Sequence, residues 1–258
     1  MQEYAPPQTD LMSRANAESV SIVIPAYDDA ENIGIVIEAS LAMLAHLTND
    51  YEIVVVDDVS TDTTRAVIEQ YAARDSHVRA FANEENMGCH ATELKGFSLA
   101  TKDLLFFIPS DRQIMPDQLP ACLEAMANAD YVCTNRVQRA DPWYRKIVSK
   151  CYNASVRILF KLPIHDVNSS VLVRRMVIER IGTKINARSS FISVELVIRA
   201  LSEGFRIAEA PIEHHPRVAG KARGLRPKDI IKIAFNLATL WLYLIRLRAS
   251  LRRERQQA

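Results

Sequence analysis

The sequence predicts an α/β fold with a mostly parallel central sheet that is covered by helices on both faces. Short apolar runs, such as IVVV at residues 53–56, alternate with segments of helical periodicity. Continuous apolar runs of this kind are typical of strands buried on both faces. No segment rich in glycine, serine or proline divides the chain after residue 19, and 258 residues suffice for one large core.

The predicted elements follow in a regular order. Strands are predicted at residues 19–27, 51–58, 77–83, 103–109 and 130–135, and helices at 31–47, 63–74, 90–100 and 116–128. Later elements are a long helix with basic residues on its polar side at 143–162, a strand at 167–175, a helix at 191–204 and a strand at 205–214. We therefore predict a flexible leader at 1–18, one domain at 19–225 and a basic amphipathic helix at 226–258.

Charge and cysteine content narrow the class of protein. The formal net charge is +1, but residues 221–258 alone carry a net +8, which leaves −7 for residues 1–220. The four cysteines are widely spaced, which argues against a zinc site or a disulfide framework and favours a cytoplasmic location. The polar N-terminus lacks the apolar segment of a signal peptide.

Polar side chains cluster where the predicted strands end. The fourth strand ends in PSDRQ at residues 109–113, and the second ends in Asp57 and Asp58. Loops at these ends converge on the crevice where α/β sheets bind ligands. Two adjacent carboxylates after an apolar run are costly without a partner, and they suit a nucleoside or a metal ion. Asp62 fits either a ligand site or the cap of the next helix. Neither G-x-G-x-x-G nor G-x-x-x-x-G-K-[ST] is present, which disfavours NAD-type and P-loop sites.

Five blocks of sequence, in order, carry a resemblance to a known family. They are SIVIPAYDDAENI, EIVVVDDVSTDTT, NMGCHATELKGFSLATKDLLFFIPSD, DVNSSVLVRR and ELVIRALSEGFRIAEAPIEHHPRVAGKARG. Over residues 19–225 they resemble the family 2 glycosyltransferases with a GT-A fold, especially the branch of dolichol- or polyprenol-phosphate sugar synthases. The resemblance implies an inverting hexosyltransferase that uses a UDP- or GDP-sugar.

The resemblance also implies roles for individual residues. Those implied to bind the nucleotide and the phosphates are Pro25, Tyr27, Asp29, Asp57, Asp58, Arg112, Gln113, Arg217 and Lys221. Asp111 matches the second aspartate of the family's DxD motif and is implied as the metal ligand and a catalytic residue, whereas Pro109 stands where the first aspartate is usual. Arg136, near the acceptor, and Asp166 are the other implied catalytic residues.

The proline at position 109 leaves three interpretations of this loop open. Asp111 could anchor Mg²⁺ or Mn²⁺ together with ligand phosphates and waters. Arg112 could instead pair with the diphosphate without a metal. The third interpretation is a degenerate, non-catalytic site.

The nature of the acceptor decides whether a general base is needed. A lipid phosphate is already ionised and needs none, whereas a hydroxyl acceptor needs a base within hydrogen-bond reach. Asp166 and Glu195 are the candidates for such a base. Alternatively, Asp166 is a residue of a turn, and Glu195 is a partner in an ion pair.

The apolar segment at residues 230–245 is interrupted by Lys232 and Asn236, and falls short of the ~20 residues that span a bilayer. Arginines follow it directly, so it suits the surface of an anionic cytoplasmic leaflet; packing on the domain or in a homodimer is the alternative.

We therefore predict a cytoplasmic transferase, peripheral on the inner face of the membrane, with polyprenol phosphate as its acceptor. The alternatives are a soluble hydroxyl acceptor, such as a glycan or a small metabolite, and a non-catalytic sugar-nucleotide-binding protein. A sugar nucleotidyltransferase would need a glycine-rich Lys/Arg loop after the first strand, and PAYDDAEN lacks it. No nucleic-acid partner is expected.

Overall fold

The structure is a computed structural model that describes residues 18–138, 143–160, 162, 164–187, 191–216 and 230–257. It confirms the predicted α/β fold. The strands are β1 Val20–Ala26, β2 Tyr51–Asp57, β3 Val78–Ala82, β4 Leu104–Phe107, β5 Tyr131–Gln138, β6 Val171–Arg174 and β7 Ile207–Glu213. The α-helices are α1 Ala30–Leu47, α2 Thr64–Arg74, α3 Cys89–Leu99, α4 Leu119–Met126, α5 Trp143–Phe160, α6 Arg175–Ile181, α7 Ile192–Ser202 and α8 Ile230–Gln257.

The seven strands form one sheet in the order β3-β2-β1-β4-β6-β5-β7. Strand β6 pairs antiparallel with both neighbours, whereas all the other pairs are parallel. The carboxyl ends of β1, β2, β4, β5 and β7 therefore lie along one edge, together with the beginning of β6. This is the edge on which the sequence predicts the ligand site.

A hydrophobic core lies on each face of the sheet. Ile22 and Ile24 of β1 belong to one core and Val23 to the other, because successive side chains of a strand point to opposite faces. Helices α1, α2 and α4 cover the first face, and α3, α5, α6, α7 and α8 cover the second. The approach of α3 is close at Gly96, where an added Cβ would lie 2.3 Å from Cγ1 of Val23.

The segment predicted as a strand at residues 167–175 differs in the structure. Only Val171–Arg174 is a strand, and the chain turns directly into α6 at Arg175. The apolar residues Val177, Ile178 and Ile181 of α6 have helical spacing and are buried, so packing on the core stabilises this short helix.

A C-terminal helix is present as predicted, and one of its faces packs on the domain. Leu240, Leu244, Leu247 and Leu251 are buried at helical spacing in the core that also contains Val156 of α5. Among the described helices, α1 alone is long and apolar enough to cross a membrane, but residues such as Ile33 and Leu44 bury it against the sheet. The predicted leader at 1–18 lies outside the described residues except for Glu18, and the predicted domain boundaries remain predictions.

Candidate active site

The loops after β1, β2 and β4 enclose a cavity of about 360 Å³. Its lining contains several residues that the sequence singled out, namely Pro25, Tyr27, Asp29, Asp58, Pro109 and Asp111. Asn86, Gly88 and Cys89, where the chain enters α3, complete one side. The three loops thus bring together residues that are far apart in the sequence. We call this space the first cavity.

Three residues of these loops have positive φ angles, namely Asp28 (47°), Val59 (64°) and Arg112 (62°). Left-handed backbone is unusual for a β-branched residue such as Val59, and it costs of the order of 1–3 kcal/mol. Hydrogen bonds hold the first two loops together: Ser60 Oγ accepts from the N–H of Asp28 at 3.0 Å, and Asp28 Oδ1 accepts from the N–H of Thr61 at 2.6 Å. The loop shape is therefore set by mutual contacts.

The Asp58 carboxylate organises the loop that precedes α3. Its Oδ1 accepts hydrogen bonds from Asn83 Nδ2 (2.6 Å) and from the Met87 N–H (2.8 Å), and its Oδ2 accepts from the Gly88 N–H (2.8 Å). Asp58 is buried yet still lines the first cavity. Asp57 is also buried, does not line the cavity, and accepts from the Ser60 N–H at 3.3 Å. Both carboxylates have found structural partners, and a direct contact with a nucleotide remains a prediction.

Asp62 binds the start of α2, although the N-cap residue of that helix is Thr63. Its Oδ1 accepts from the N–H of Thr64, the first residue of α2, at 2.9 Å, and its Oδ2 accepts from the Ala30 N–H at 3.4 Å. Burial opposes ionisation, but these hydrogen bonds outweigh it and lower the pKa of Asp62. Asp62 therefore couples the starts of α1 and α2.

Ser110 joins the first and fourth strand loops across the first cavity. This nearly buried hydroxyl donates a hydrogen bond of 2.6 Å to Oδ2 of Asp29. Asp111 follows it, and Asp111 Oδ1 accepts from the Gln113 N–H at 3.1 Å. Among the described residues, no group of three or more His, Cys, Asp or Glu side chains is arranged to hold a metal ion by itself.

The other end of the PSDRQ loop contacts the segment after β7. The His215 N–H donates to the Gln113 carbonyl at 2.9 Å, and Gln113 Nε2 donates to the His215 carbonyl at 3.4 Å. Arg112 and Gln113 do not line the first cavity. The predicted phosphate-binding residues Arg217 and Lys221 follow His215 in the sequence, and they lie outside the described residues.

A second cavity of about 440 Å³ lies at the carboxyl end of β5, beside helix α5. We call it the second cavity; it is lined by Asn135, Arg136, Ser149, Lys150, Asn153, Ala154, Arg157, His165 and Asp166. Only β6 separates β4 from β5 in the sheet, and β5 runs on to Gln138, past Cys133, which is level with Phe107 at the end of β4. The sequence did not predict the contribution of α5, because it depends on how that helix packs.

Arg136 and Asp166 form a largely buried ion pair in the second cavity. Arg136 Nε donates to Asp166 Oδ2 at 2.8 Å, and Arg136 Nη2 donates to the Asn168 carbonyl at 3.2 Å. Asp166 Oδ1 accepts from the Asn168 N–H at 3.2 Å. With Lys150 and Arg157 nearby, the lining has more cationic than anionic groups, which suits an anionic ligand.

Glu195 is an ion-pair partner, as the alternative interpretation of this residue held. Its Oε1 accepts from Arg199 Nε at 2.7 Å, and its Oε2 accepts from the Tyr243 hydroxyl of α8. It lines neither of the two cavities. Glu93 is another buried carboxylate, and burial raises its pKa although its contact with His90 opposes that rise.

Comparison with known proteins gives a consistent result. The model of the family described as Glycosyl transferase family 2 matches residues 21–182. The undecaprenyl-phosphate 4-deoxy-4-formamido-L-arabinose transferase of Sodalis glossinidius is 31% identical over 224 residues, which are 86% of this chain and 67% of that relative. The protein of the same description from Photorhabdus laumondii is 29% identical over 230 residues, covering 88% of this chain and 69% of the relative.

Solved structures of glucosyl-3-phosphoglycerate synthase from Mycobacterium tuberculosis share the fold. The complex with UDP has a TM-score of 0.67 at 16% identity and covers 94% of this chain and 86% of the synthase chain. A complex with Mn²⁺, UDP-glucose and phosphoglyceric acid has a TM-score of 0.66 at 16% identity, covering 93% and 85%. At this identity the likeness shows the fold.

Proposed function

The chain belongs to glycosyl transferase family 2, and on that basis we propose that it transfers a sugar from a UDP- or GDP-sugar to a polyprenol-phosphate-type lipid. The observation that carries this proposal is the pair of cavities along one sheet edge, one lined by carboxylates and the other by cations. The similar Sodalis and Photorhabdus proteins are described as undecaprenyl-phosphate sugar transferases, which supports this acceptor class.

The first cavity is proposed to hold the nucleotide-sugar donor. It lies at the carboxyl ends of neighbouring parallel strands, where α/β sheets bind ligands. The likeness in fold to a synthase solved with UDP supports this placement. Asp29 and Asp58 are oriented by neighbouring loops before any ligand arrives, so little ordering is needed on binding.

A divalent ion fits the chemistry of the first cavity, and Asp111 would hold it. Carboxylate oxygens are the ligands that Mg²⁺ and Mn²⁺ prefer, and Mg²⁺ commonly binds through one or two carboxylates plus substrate phosphates. When bound, such an ion would neutralise the charge that builds up on the leaving diphosphate. Arg112, adjacent to Asp111 in the chain, is the candidate for the same task in a metal-independent reaction.

The second cavity is proposed to hold the acceptor phosphate. Arg136, Lys150 and Arg157 line it, and the ion pair with Asp166 fixes the direction of the Arg136 guanidinium. A phosphate oxygen of the acceptor attacks the anomeric carbon, and the bond from that carbon to the diphosphate oxygen breaks with inversion. Because the acceptor phosphate is already ionised, no proton has to be removed, and Asp166 serves to orient Arg136.

A soluble hydroxyl acceptor is the second candidate. The observation that favours it is the nearly buried Asp166 carboxylate in the second cavity, which could accept a proton from a hydroxyl. Against it stands the direct contact with Arg136, since a neighbouring cation favours the charged carboxylate and weakens it as a base.

The test is a transfer assay with the purified full-length chain. UDP-, GDP- and dTDP-sugars are each incubated, with and without Mn²⁺, either with undecaprenyl phosphate in detergent or with soluble hydroxyl acceptors. Lipid-linked sugar is measured after organic extraction, and sugar transferred to soluble acceptors is measured in the aqueous phase. We expect product with one donor class and a loss of at least tenfold in Lys150→Gln, whereas Arg74→Gln, an exposed cation on α2, is the matched control. Transfer to soluble hydroxyl acceptors alone would establish the second candidate, and no transfer with any donor would overturn both.

We propose a cytoplasmic location on the inner face of the membrane; a polyprenol phosphate presents its phosphate at the bilayer surface, so its enzyme has to work there. The basic C-terminal residues Arg246, Arg248, Arg252 and Arg253 are exposed and suit an anionic leaflet. A homodimer remains a prediction.

A further inference from the structure

Helix α5 has an exposed apolar stripe in addition to its buried face. Ile147, Cys151, Ala154 and Ile158 are all exposed and occur at the spacing i, i+4, i+7 and i+11, which places them on one side of the helix. The exposed fractions of Ile147 and Ile158 are 52% and 71%. Val156 is fully buried on the other side. A helix that is packed on its domain gains nothing in water from a second apolar stripe.

Helix α8 repeats this arrangement. Its buried face carries the four leucines that pack on the domain, and its exposed face carries Trp241, Leu242, Ile245 and Ala249. Leu242 and Ile245 are 56% and 52% exposed. These residues again have helical spacing, so they form a second exposed apolar stripe.

The two stripes are neighbours. Trp241 Nε1 donates a hydrogen bond of 3.0 Å to Oγ of Ser155, which adjoins Ala154 in α5. Trp241 therefore lies at the seam between the helices and is partly exposed there. We call the combined exposed faces of α5 and α8 the two-helix surface.

The charges around the two-helix surface are predominantly positive. The described exposed cations are Lys146, Lys150, Arg157, Arg246, Arg248, Arg252 and Arg253. Glu254 is the only acidic residue in the sequence of either helix. An apolar centre with a cationic border matches an anionic lipid surface. In a symmetric contact between two copies the same cations would face one another, which disfavours a second copy as the occupant.

The second cavity adjoins this surface. Ala154 belongs to the α5 stripe and also lines the second cavity, and the bordering cations Lys150 and Arg157 line it too. A lipid whose phosphate occupies the cavity could therefore extend its hydrocarbon chain along the stripe without crossing the aqueous phase.

We propose that the two-helix surface inserts into the headgroup region of an anionic bilayer, so that α5 as well as the C-terminal helix contacts lipid. The proposal rests on the proposed function for the identity of the cavity's ligand, but the surface itself is tested without any sugar transfer. Insertion of α5 presents the second cavity to the bilayer from which its acceptor comes.

Cys151 allows a direct test, because it lies in the α5 stripe. Of the four cysteines, Cys122 and Cys133 are buried, so a Cys89→Ala variant of the full chain leaves Cys151 as the exposed thiol. The thiol is labelled with the fluorophore NBD and mixed with vesicles of phosphatidylcholine containing 30% phosphatidylglycerol. We expect a blue shift and quenching by lipids spin-labelled near the headgroup, both weakening as salt rises. An unchanged spectrum while the protein co-floats with the vesicles would overturn insertion of α5.

Vesicle partitioning of Ile158→Asp measures the contribution of the stripe. We expect the partition coefficient to fall about tenfold or more, whereas Ile35→Asp on α1 should leave it unchanged. Ile35 is 42% exposed and lies on the helix layer at the opposite face of the sheet, which makes it a matched control. Equal partitioning of both variants and the parent protein would overturn the proposal.

Two further measurements distinguish a failure of the proposed lipid surface from a failure of the proposed function. UDP binding and transfer to detergent-solubilised acceptor by the parent protein report on the proposed function, and we expect Ile158→Asp to retain UDP binding. If the parent protein transfers sugar and Ile158→Asp binds UDP while no lipid contact is found, the lipid surface is refuted and the transferase assignment stands. Sedimentation of the labelled protein without lipid provides the remaining check. If it shows a dimer, and the NBD fluorescence shows that the label on Cys151 is shielded from water, then a second copy covers this surface and the proposal is refuted.

Discussion

Replacing Asp58 by asparagine tests whether its carboxylate holds the loop at the entrance to α3. The carboxylate accepts hydrogen bonds from Asn83 and from the N–H groups of Met87 and Gly88. An asparagine keeps one acceptor oxygen. The least costly orientation of the asparagine places its oxygen where Oδ1 accepts from Asn83 and Met87. Its amide NH₂ then points towards the Gly88 N–H. One charge-assisted hydrogen bond is then lost and two donors face each other.

The expected magnitude follows from these contacts. A hydrogen bond to a charged group contributes about 1.5–3 kcal/mol, and an unsatisfied donor adds to the loss. We therefore expect the free energy of unfolding to fall by about 2–4 kcal/mol. Because Gly88 also lines the first cavity, the affinity for UDP should fall by about tenfold as the loop shifts.

Urea denaturation followed by circular dichroism measures the first effect, and isothermal titration with UDP measures the second. Glu124→Gln is the matched control, since Glu124 is an exposed carboxylate on α4 and its neutralisation should change stability by less than about 0.5 kcal/mol. A stability of Asp58→Asn as close to the parent protein as that of the control would refute the argument that the carboxylate organises this loop.

Further variants probe the loop, the core and the opposite end of the sheet. Asp111→Ala should abolish sugar transfer while the circular dichroism spectrum stays unchanged; transfer at the parental rate would remove Asp111 from the site. Pro109→Asp should increase the dependence of transfer on Mn²⁺, and an unchanged metal titration would argue against metal chemistry in this loop. Gly96→Ala should lower the free energy of unfolding by roughly 1–3 kcal/mol, because its Cβ would clash with Val23; an unaltered urea midpoint would contradict the close packing. Burial opposes the ionisation of Glu52, but its hydrogen bonds outweigh burial and lower its pKa below 4.5. The ionised Glu52 side chain therefore stabilises the fold above pH 4.5, and this contribution is lost as the pH falls through the lowered pKa. The free energy of unfolding of Glu52→Gln should then decrease less on acidification than that of the parent protein, as measured by urea denaturation at a series of pH values.

The strands of the first half could be predicted from sequence because each signal is local. A run such as residues 53–56 has only one stable environment, a strand covered on both faces, and the structure places it there. Helix α6 was missed because it has only two turns and follows directly on β6, so its apolar spacing overlaps that of the strand. Its stability comes from the core, which no local pattern describes.

The candidate site was predictable to the extent that it depends on strand ends. Asp29 and Asp111 line the first cavity because their strands end side by side. The role of Asp58 was not predictable, since its partners Asn83, Met87 and Gly88 lie in a later loop and two of them offer only backbone N–H groups. The residues of α5 that line the second cavity were missed for a similar reason: nothing in their spacing specifies which strand the helix meets.

The reversed strand β6 has a consequence for the order in which the molecule folds. Strands β1 to β4 come from a continuous stretch of chain and pair with one another, whereas β6 must insert between β4 and β5, with Val171 opposite both Phe107 and Cys133. Among the described strands, β6 alone hydrogen-bonds to both halves, so the halves can join only when β6 has paired with β4 and with β5. We expect the half that holds the first cavity to form before this joining, since its four strands pair with one another without β6. Substitutions that weaken β6 should then mainly speed unfolding, leaving the rate of the first folding phase nearly unchanged.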